Sequence, residues 1–309
     1  MTDTIDTAWH DWRRQGIGAS DIGALLGLSN WASPWSLWCD KSGLIPPSPS
    51  TERQAIGHDM ETVLAKRFHA TTGLYVAGEQ TWCTFPAWPV ARATVDGFVV
   101  AEPTNTIEAQ HLDHQPMIGT WEAKTDARRG WDEIPPAIRA QVQWQMGVTG
   151  MDRGWITVMF AGFRIEHHAI EHDPDDFAFM LERAREFWTL VETGTMPDVD
   201  GSDATADAIA HVWPEHVAGA TVDITHLAEI ITARGEMKDA AKLLEADIAD
   251  ADNRIKVAIG DGELGAVGGV PMFSYRQQAG RKTTCANCGH VTESKPFRVL
   301  RSASRKRAA

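Results

Sequence analysis

Val95-Asp96-Gly97 and, across a gap, Trp121-Glu122-Ala123-Lys124-Thr125 decide how this 309-residue chain is read. The first stretch carries an acid beside a glycine in an apolar run, Ala91 to Val100. The second sets an acid two residues before a lysine on another short run. Residues i and i+2 of a strand share a face, so Glu122 and Lys124 project together. Two carboxylates and an ammonium at one point suit a hard divalent cation and the water it activates. Taken alone, the same pattern also describes two strand ends with solvated charges, and the rest of the chain has to decide.

The flanking segments alternate between strand and helix. Before Asp96, Glu52 to Thr71 predicts a helix with Ile56, Met60, Val63, Leu64, Ala65 and Phe68 as its apolar positions, closed by Gly73. Glu61 lies among those positions and points either to solvent or into a site. Strands are expected over Tyr75 to Phe85 and Val90 to Val100, where Gly97 permits a close approach. Residues 101–118 read as a loop, and His111 and His114 in it as solvated side chains. After Lys124, Pro136 opens a helix that ends at Gly150. Ile138, Val142, Gln145, Met146 and Val148 supply its pattern, with Gln141 and Gln143 beside them. Trp155 to Phe160 and Phe163 to Ile170 predict a hairpin with His167, His168 and His172 at an exposed edge. Asp173-Pro174 then caps a helix that runs to Thr193. This interleaving predicts an α/β core, a mixed sheet with helices packed on it.

Near the amino end, Ser20 reads as the N-cap of a helix over Asp21 to Leu28. A helix start with a serine hydroxyl and Arg13 nearby is a place for an anion; a capped surface helix is the plainer alternative. Trp31, Trp35, Leu37 and Trp38 read as a core contact around Pro34.

The expected organisation is a domain over 1–198, a linker with a short helix over 199–222, a long helix and β-hairpin over 223–280, and a basic tail over 281–309. The long helical pattern, Asp223 to Ile259, is heptad-like, interrupted by Arg234. Net charge is −13, unevenly spread. Arg276 to Ala309 holds nine Lys/Arg and one acid, Glu293, whereas the remainder holds 20 basic and 41 acidic residues. Overall charge therefore does not exclude DNA; it makes any contact local. Four cysteines are too few and scattered for a disulfide framework. Cys285, Cys288 and His290 form half of a zinc-ribbon pattern whose other half is missing. No run approaches a membrane span and the start lacks a signal pattern, so a cytoplasmic protein is expected.

With these pieces in place, the sequence from Trp9 to Pro197 resembles the YqaJ-type viral recombinases, relatives of phage lambda exonuclease in the restriction-endonuclease-like PD-(D/E)XK superfamily. Trp9-His10 with Arg13 and Ala19-Ser20 resembles the segment that holds a DNA end's 5′-phosphate. Gly57-His58-Asp59-Met60-Glu61 resembles the helix whose glutamate faces the metal. Thr94-Val95-Asp96-Gly97 is similar to the family's Asp-Gly element, with valine in the usual proline position. Trp121-Glu122-Ala123-Lys124 is similar to its E-x-K element, Ala140-Gln141-Val142-Gln143 to its Gln-Val-Gln, and Phe187-Trp188 with Gly194 and Pro197 to the domain's end.

The resemblance implies a restriction-endonuclease-like core and a Mg2+-dependent 5′→3′ double-strand DNA exonuclease of phage-type recombination, with Mn2+ able to substitute. Asp96, Glu122 and the carbonyl of Ala123 would ligate the metal, and Glu61 would contact it directly or through water. Lys124 would orient or deprotonate the attacking water. Gln141 would hold the nucleophile or Lys124, with Gln143 the fallback; Arg13 and Ser20 would grip the terminal phosphate. The implied partners are linear duplex DNA, a single-strand annealing protein, and further copies of the chain in a trimeric ring. A structure- or sequence-specific endonuclease of the same fold and a non-catalytic DNA-end-binding module remain as alternatives.

Overall fold

The structure is a computed structural model that describes residues 7–46, 51–101, 116–284, 288 and 290–303. His111, His114 and Cys285 lie outside the described residues. The chain divides at residues 217/218 into two units.

The first unit begins with three short helices, α1 (Thr7–Arg14), α2 (Ala19–Leu25) and α3 (Pro34–Lys41), and a long one, α4 (Glu52–Thr72). Four strands follow: β1 (Tyr75–Ala77), β2 (Thr81–Thr84), β3 (Arg92–Val95) and β4 (Gly97–Val100). Then come β5 (Met117–Asp126), α5 (Pro136–Thr149), β6 (Arg153–Phe160), β7 (Ile165–Glu171), α6 (Pro174–Thr193) and α7 (Asp203–Val212). The main sheet has the order β1-β4-β5-β6-β7, antiparallel except for the parallel pair β5–β6, which α5 connects. It is the mixed sheet that the alternation of elements predicts. A second ribbon pairs β2 with β3.

Alternation along the strands sorts the core into two faces. Val99, Trp121 and Trp155 pack with Leu64 and Phe68 of α4, while Ile156 and Ile170 pack with Val142 and Met146 of α5. Beyond α5, a larger cluster joins Ile17, Ile22, Trp35, Trp38, Trp144, Phe177 and Phe187. Helix boundaries follow their local signals. The Thr51 hydroxyl caps α4 and the Asp173 carboxylate caps α6, while Gly73 and Gly150 end α4 and α5 in the left-handed region, where a Cβ is disfavoured.

Several expectations need correction. Val90 to Val100 is not one strand: it breaks at Asp96, with β3 in the ribbon and β4 in the main sheet. The strand bearing Glu122 begins at Met117, inside the stretch read as loop. Ser20 is not an N-cap; Gly18 holds that place and Ser20 is exposed in the first turn. On α4 only Leu64 and Phe68 are buried, whereas Ile56 and Val63 are exposed, because the helix crosses the sheet over a narrow stripe. Trp31 is exposed, while Trp35 and Trp38 are core. His167 and His168 are half-buried rather than exposed. His167 contacts the Thr157 hydroxyl at 3.0 Å and the edge of Phe68, and burial lowers its pKa. The short helix expected within 199–222 is present as α7, and it packs within the first unit: its Thr205 hydroxyl donates to Ser33 at 2.7 Å and its Ala208 is buried.

The second unit contains a 3-10 turn (Thr225–Leu227), α8 (Ala228–Ile259), β8 (Leu264–Val267), β9 (Val270–Gln278), β10 (Lys282–Thr284), β11 (Val291–Glu293) and β12 (Phe297–Ser302). The hairpin β8–β9 gains a third strand, β12, and β10 pairs with β11. Part of the basic tail is thus built into strands. Arg298 donates to the carbonyls of Gly260 (2.6 Å) and Tyr275 (3.0 Å) and lies 3.9 Å from the Tyr275 ring centre. Among the described residues, no helix is long and apolar enough to cross a membrane.

Candidate active site

Because β3 and β4 belong to different sheets, Asp96 stands at the seam between them, where the chain is free of both ladders. Its Oδ2 accepts the backbone N–H of Ala123 at 2.9 Å. That bond continues the β4–β5 pairing one step past Gly97↔Trp121 and fixes the carboxylate against β5. A strand residue's N–H and C=O share an edge, so the Ala123 carbonyl opens toward Asp96 too.

Glu122 faces the other way, toward α5, and is buried at 2% exposure. Lys124 pairs with its Oε1, Gln141 Nε2 donates to the same oxygen at 2.7 Å, and Gln145 Nε2 donates to Oε2 at 2.6 Å. Gln145, one turn beyond Gln141 on α5, is a site residue that the sequence reading counted as part of the apolar pattern. Its signal was the i, i+4 spacing from Gln141. Gln143 points elsewhere: it donates to the Glu171 carbonyl at 2.8 Å and accepts from the Asp173 N–H at 2.9 Å. It ties α5 to the start of α6 and is not an alternative to Gln141.

On the α4 side, Glu61 is half-buried, with Oε1 3.1 Å from His58 Nδ1. Its Oε2 accepts from Gln80 Nε2 at 3.0 Å, and the same nitrogen donates to Asp96 Oδ1 at 3.2 Å. No local pattern in the sequence singles out Gln80.

Arg13, Ser20, Glu61, Asp96, Glu122, Ala123, Lys124 and Gln141 all line one open cleft of about 710 Å3, with Trp9, Trp12 and Trp82 also on its wall. Trp12 and Trp82 stack at 5.2 Å. Arg13 reaches the cleft from a buried ion pair. Its Nη2 lies 2.5 Å from Asp21 Oδ1, and Lys41 Nζ and the Gly18 N–H hold Oδ2 at 2.6 and 2.9 Å. Burial alone would raise the Asp21 carboxyl pKa, but Arg13 and Lys41 reverse that and hold it well below the usual range. Arg13 Nε is buried without a hydrogen-bond partner. Neither Asp21 nor Lys41 had been singled out in the sequence.

The charge balance tests whether a cation fits. Desolvation, then the negative charge of Glu122 and Glu61, raises the Asp96 pKa well above the carboxylate range, and Lys124 only partly offsets this. Burial alone would lower the Lys124 pKa, but Glu122 and Asp96 outweigh it and raise it. The cleft is thus short of positive charge at Asp96, and its oxygen donors are those a hard divalent cation takes. Among the described residues no three His, Cys, Asp or Glu side chains converge as a ligand set. The fit is to two carboxylates, a carbonyl and water rather than to a three-acid cage. Cys288 and His290 are exposed, and burial pushes the Cys39 and Cys83 thiols up to about 11.

Mixed sheet, helical cover and a carboxylate–lysine cluster at a break between strands define an α/β domain built around one polar cleft. Residues 8–152 match the YqaJ-like viral recombinase domain. Over 269 residues the chain is 29% identical to the uncharacterized protein YqaJ of Bacillus subtilis (strain 168), a match spanning 84% of this chain and 80% of that protein. It is also similar to the alkaline exonuclease LHK-Exo of Laribacter hongkongensis in complex with dAMP, at 18% identity and a TM-score of 0.47. That match covers 61% of this chain and 93% of the other. A phage related exonuclease of Haemophilus somnus 129PT is similar at 11% identity and a TM-score of 0.41, over 58% and 94% of the two chains.

Proposed function

We propose that the chain is a divalent-metal-dependent deoxyribonuclease that works from the ends of linear duplex DNA in phage-type recombination. One observation carries the reading: a single cleft holds both the Asp96, Glu122 and Lys124 cluster and the Arg13 and Ser20 pair. The first suits phosphodiester hydrolysis; the second suits a terminal phosphate.

Asp96, Glu122 and the Ala123 carbonyl would hold the cation, Mg2+ or Mn2+, with Glu61 at the outer edge. When bound, the cation supplies positive charge to the attacked phosphate and makes water more acidic. Lys124, kept protonated by Glu122, orients the attacking water and offsets charge developing on the phosphate. Gln141 and Gln145 hold the Glu122 carboxylate in place, and Gln141, at the cleft wall, also reaches the attacking water. Arg13 offers the anion a guanidinium already oriented by Asp21, and Ser20 adds a hydroxyl. Such contacts position a strand without reading its sequence. A 5′-phosphate grip gives 5′→3′ polarity and a 3′ single strand for an annealing protein to coat. Several copies of the chain in a ring would keep the duplex in place.

The test is digestion of linear duplex with 5′-phosphate or 5′-hydroxyl ends, beside closed circles, with Mg2+, Mn2+ or chelator. Expected are cation-dependent loss of linear DNA, preference for 5′-phosphate and intact circles, with Glu122→Ala inactive. Efficient nicking of circles would replace the exonuclease with an endonuclease. Equal degradation by wild type and Glu122→Ala would leave a DNA-end-binding module.

A further inference from the structure

We infer that the side-chain amide of Gln80 is a gate on the cation site: it bridges Glu61 and Asp96 and competes with the cation for them. The inference rests on the reading of this cleft as a divalent-cation site.

Gln80 sits where the fold has two breaks face to face. The turn after β1 carries the chain out of the main sheet into the β2–β3 ribbon, and Asp96 carries it back from β3 to β4. The registers Ala77↔Phe98 and Thr81↔Val95 put residues 78–80 opposite Asp96. That turn is tight: Gly78 has φ 69° and Gln80 has φ 53°. Glutamine rarely adopts this left-handed conformation, and here it aims the side chain into the cleft.

Both neighbours of the amide are carboxylate oxygens, Glu61 Oε2 at 3.0 Å and Asp96 Oδ1 at 3.2 Å. The NH2 end, with its two donors, is the end that faces both acids. Asp96 Oδ2 is held by the Ala123 N–H and Glu61 Oε1 is beside His58. Each acid therefore has a partner at both oxygens without a metal. The acids are bridged by an amide rather than gathered as a ligand set, and this agrees with the absence of a three-ligand cluster among the described residues. A cation bridging Asp96 Oδ1 and Glu61 Oε2 would take the place now held by the Gln80 Nε2 between them. Gln80 is thus a positioning residue that holds Glu61 and Asp96 together.

The test is cation binding by the full chain, with Mn2+ followed by electron paramagnetic resonance and Mg2+ by calorimetry. Gln80→Gly removes the amide and keeps the left-handed backbone. Gln80→Asn tolerates that backbone as well and is one methylene too short to bridge both acids. Both variants are expected to bind Mn2+ and Mg2+ tighter, by about tenfold or more, the order of one hydrogen bond to a charged group. General disruption of the site would weaken binding, so tighter binding separates competition from a merely structural role. Unchanged or weaker binding in the folded variants, with wild type binding normally, would overturn the gate and leave the cation site standing. Absence of binding by wild type and variants alike would sink the cation-site reading and the gate together.

Discussion

Gln145 Nε2 donates to Oε2 of Glu122 at 2.6 Å, in a place where Gln145 is fully buried and Glu122 nearly so. With Lys124 and Gln141 on Oε1, both oxygens of this carboxylate are fixed. In its proposed role as a cation ligand, a carboxylate held this firmly would lose little freedom on binding.

Gln145→Met keeps the side chain's length and removes the donor. It leaves the buried Glu122 Oε2 and the Thr94 carbonyl without this donor, so a stability loss of about 1–3 kcal/mol is expected. Cleavage and cation affinity are expected to fall about 10- to 100-fold, the usual effect of removing a group behind a ligand. Rates and calorimetry, with circular dichroism as the check on folding, decide it. Normal activity in a folded variant would show that Gln145 does not support Glu122.

The charge crowding at Asp96 makes a signed prediction. Its folded pKa is raised, first by desolvation and then by Glu122 and Glu61. A raised acid binds more protons folded than unfolded, so stability declines as pH rises from its unfolded value, about 4, through the folded one. In chelator, this contribution to the melting temperature is expected to fall as pH rises above about 4. Added Mg2+ should oppose the fall, because it favours the ionised form, and Asp96→Ala should remove this part of the pH dependence. A wild-type profile identical with and without Mg2+ would contradict the account.

How much of this was legible in the sequence depends on the range of each interaction. The i, i+2 relation of Glu122 and Lys124 is local, and so are the Asp173 cap and the Gly73 and Gly150 stops; each was readable. The break at Asp96 was not, because Ala91 to Val100 is one apolar run and only pairing with β2 and β5 splits it between sheets. Gln145 was hidden among buried apolar neighbours, since burial of a polar group depends on a partner 23 residues away. Asp21 looked like an acid in a helix's first turn until Lys41 and Arg13 closed around it.

That Asp21 cluster sets its own pH window. Its folded pKa is depressed below the unfolded value of about 4, so the stability it contributes is present above that value. It is lost as pH falls through the folded pKa. Asp21→Asn leaves two buried cations facing a neutral amide, which costs about 3–5 kcal/mol at neutral pH by analogy with other broken buried pairs. Denaturant unfolding at pH 7 and pH 3 tests both statements: the gap between wild type and variant should narrow in acid. An equal gap at both pH values would refute the linkage.

Gly97 supports the site by leaving room for a neighbouring strand. A Cβ there would lie 2.4 Å from Val76 Cγ1 and 3.4 Å from the Ala77 carbonyl oxygen, closer to the valine than packed atoms come. Val76 is β-branched and cannot swing away cheaply. Gly97→Ala therefore pushes β1 outward, and with it the turn that carries Gln80 opposite Asp96. The expected cost is about 1–3 kcal/mol, typical of overpacking, together with reduced cleavage. Val76→Ala removes the atom in conflict, so the double variant should recover most of the loss, a coupling that a double-mutant cycle reads directly. Additive losses would mean that Gly97 acts on the site by some route other than its contact with β1.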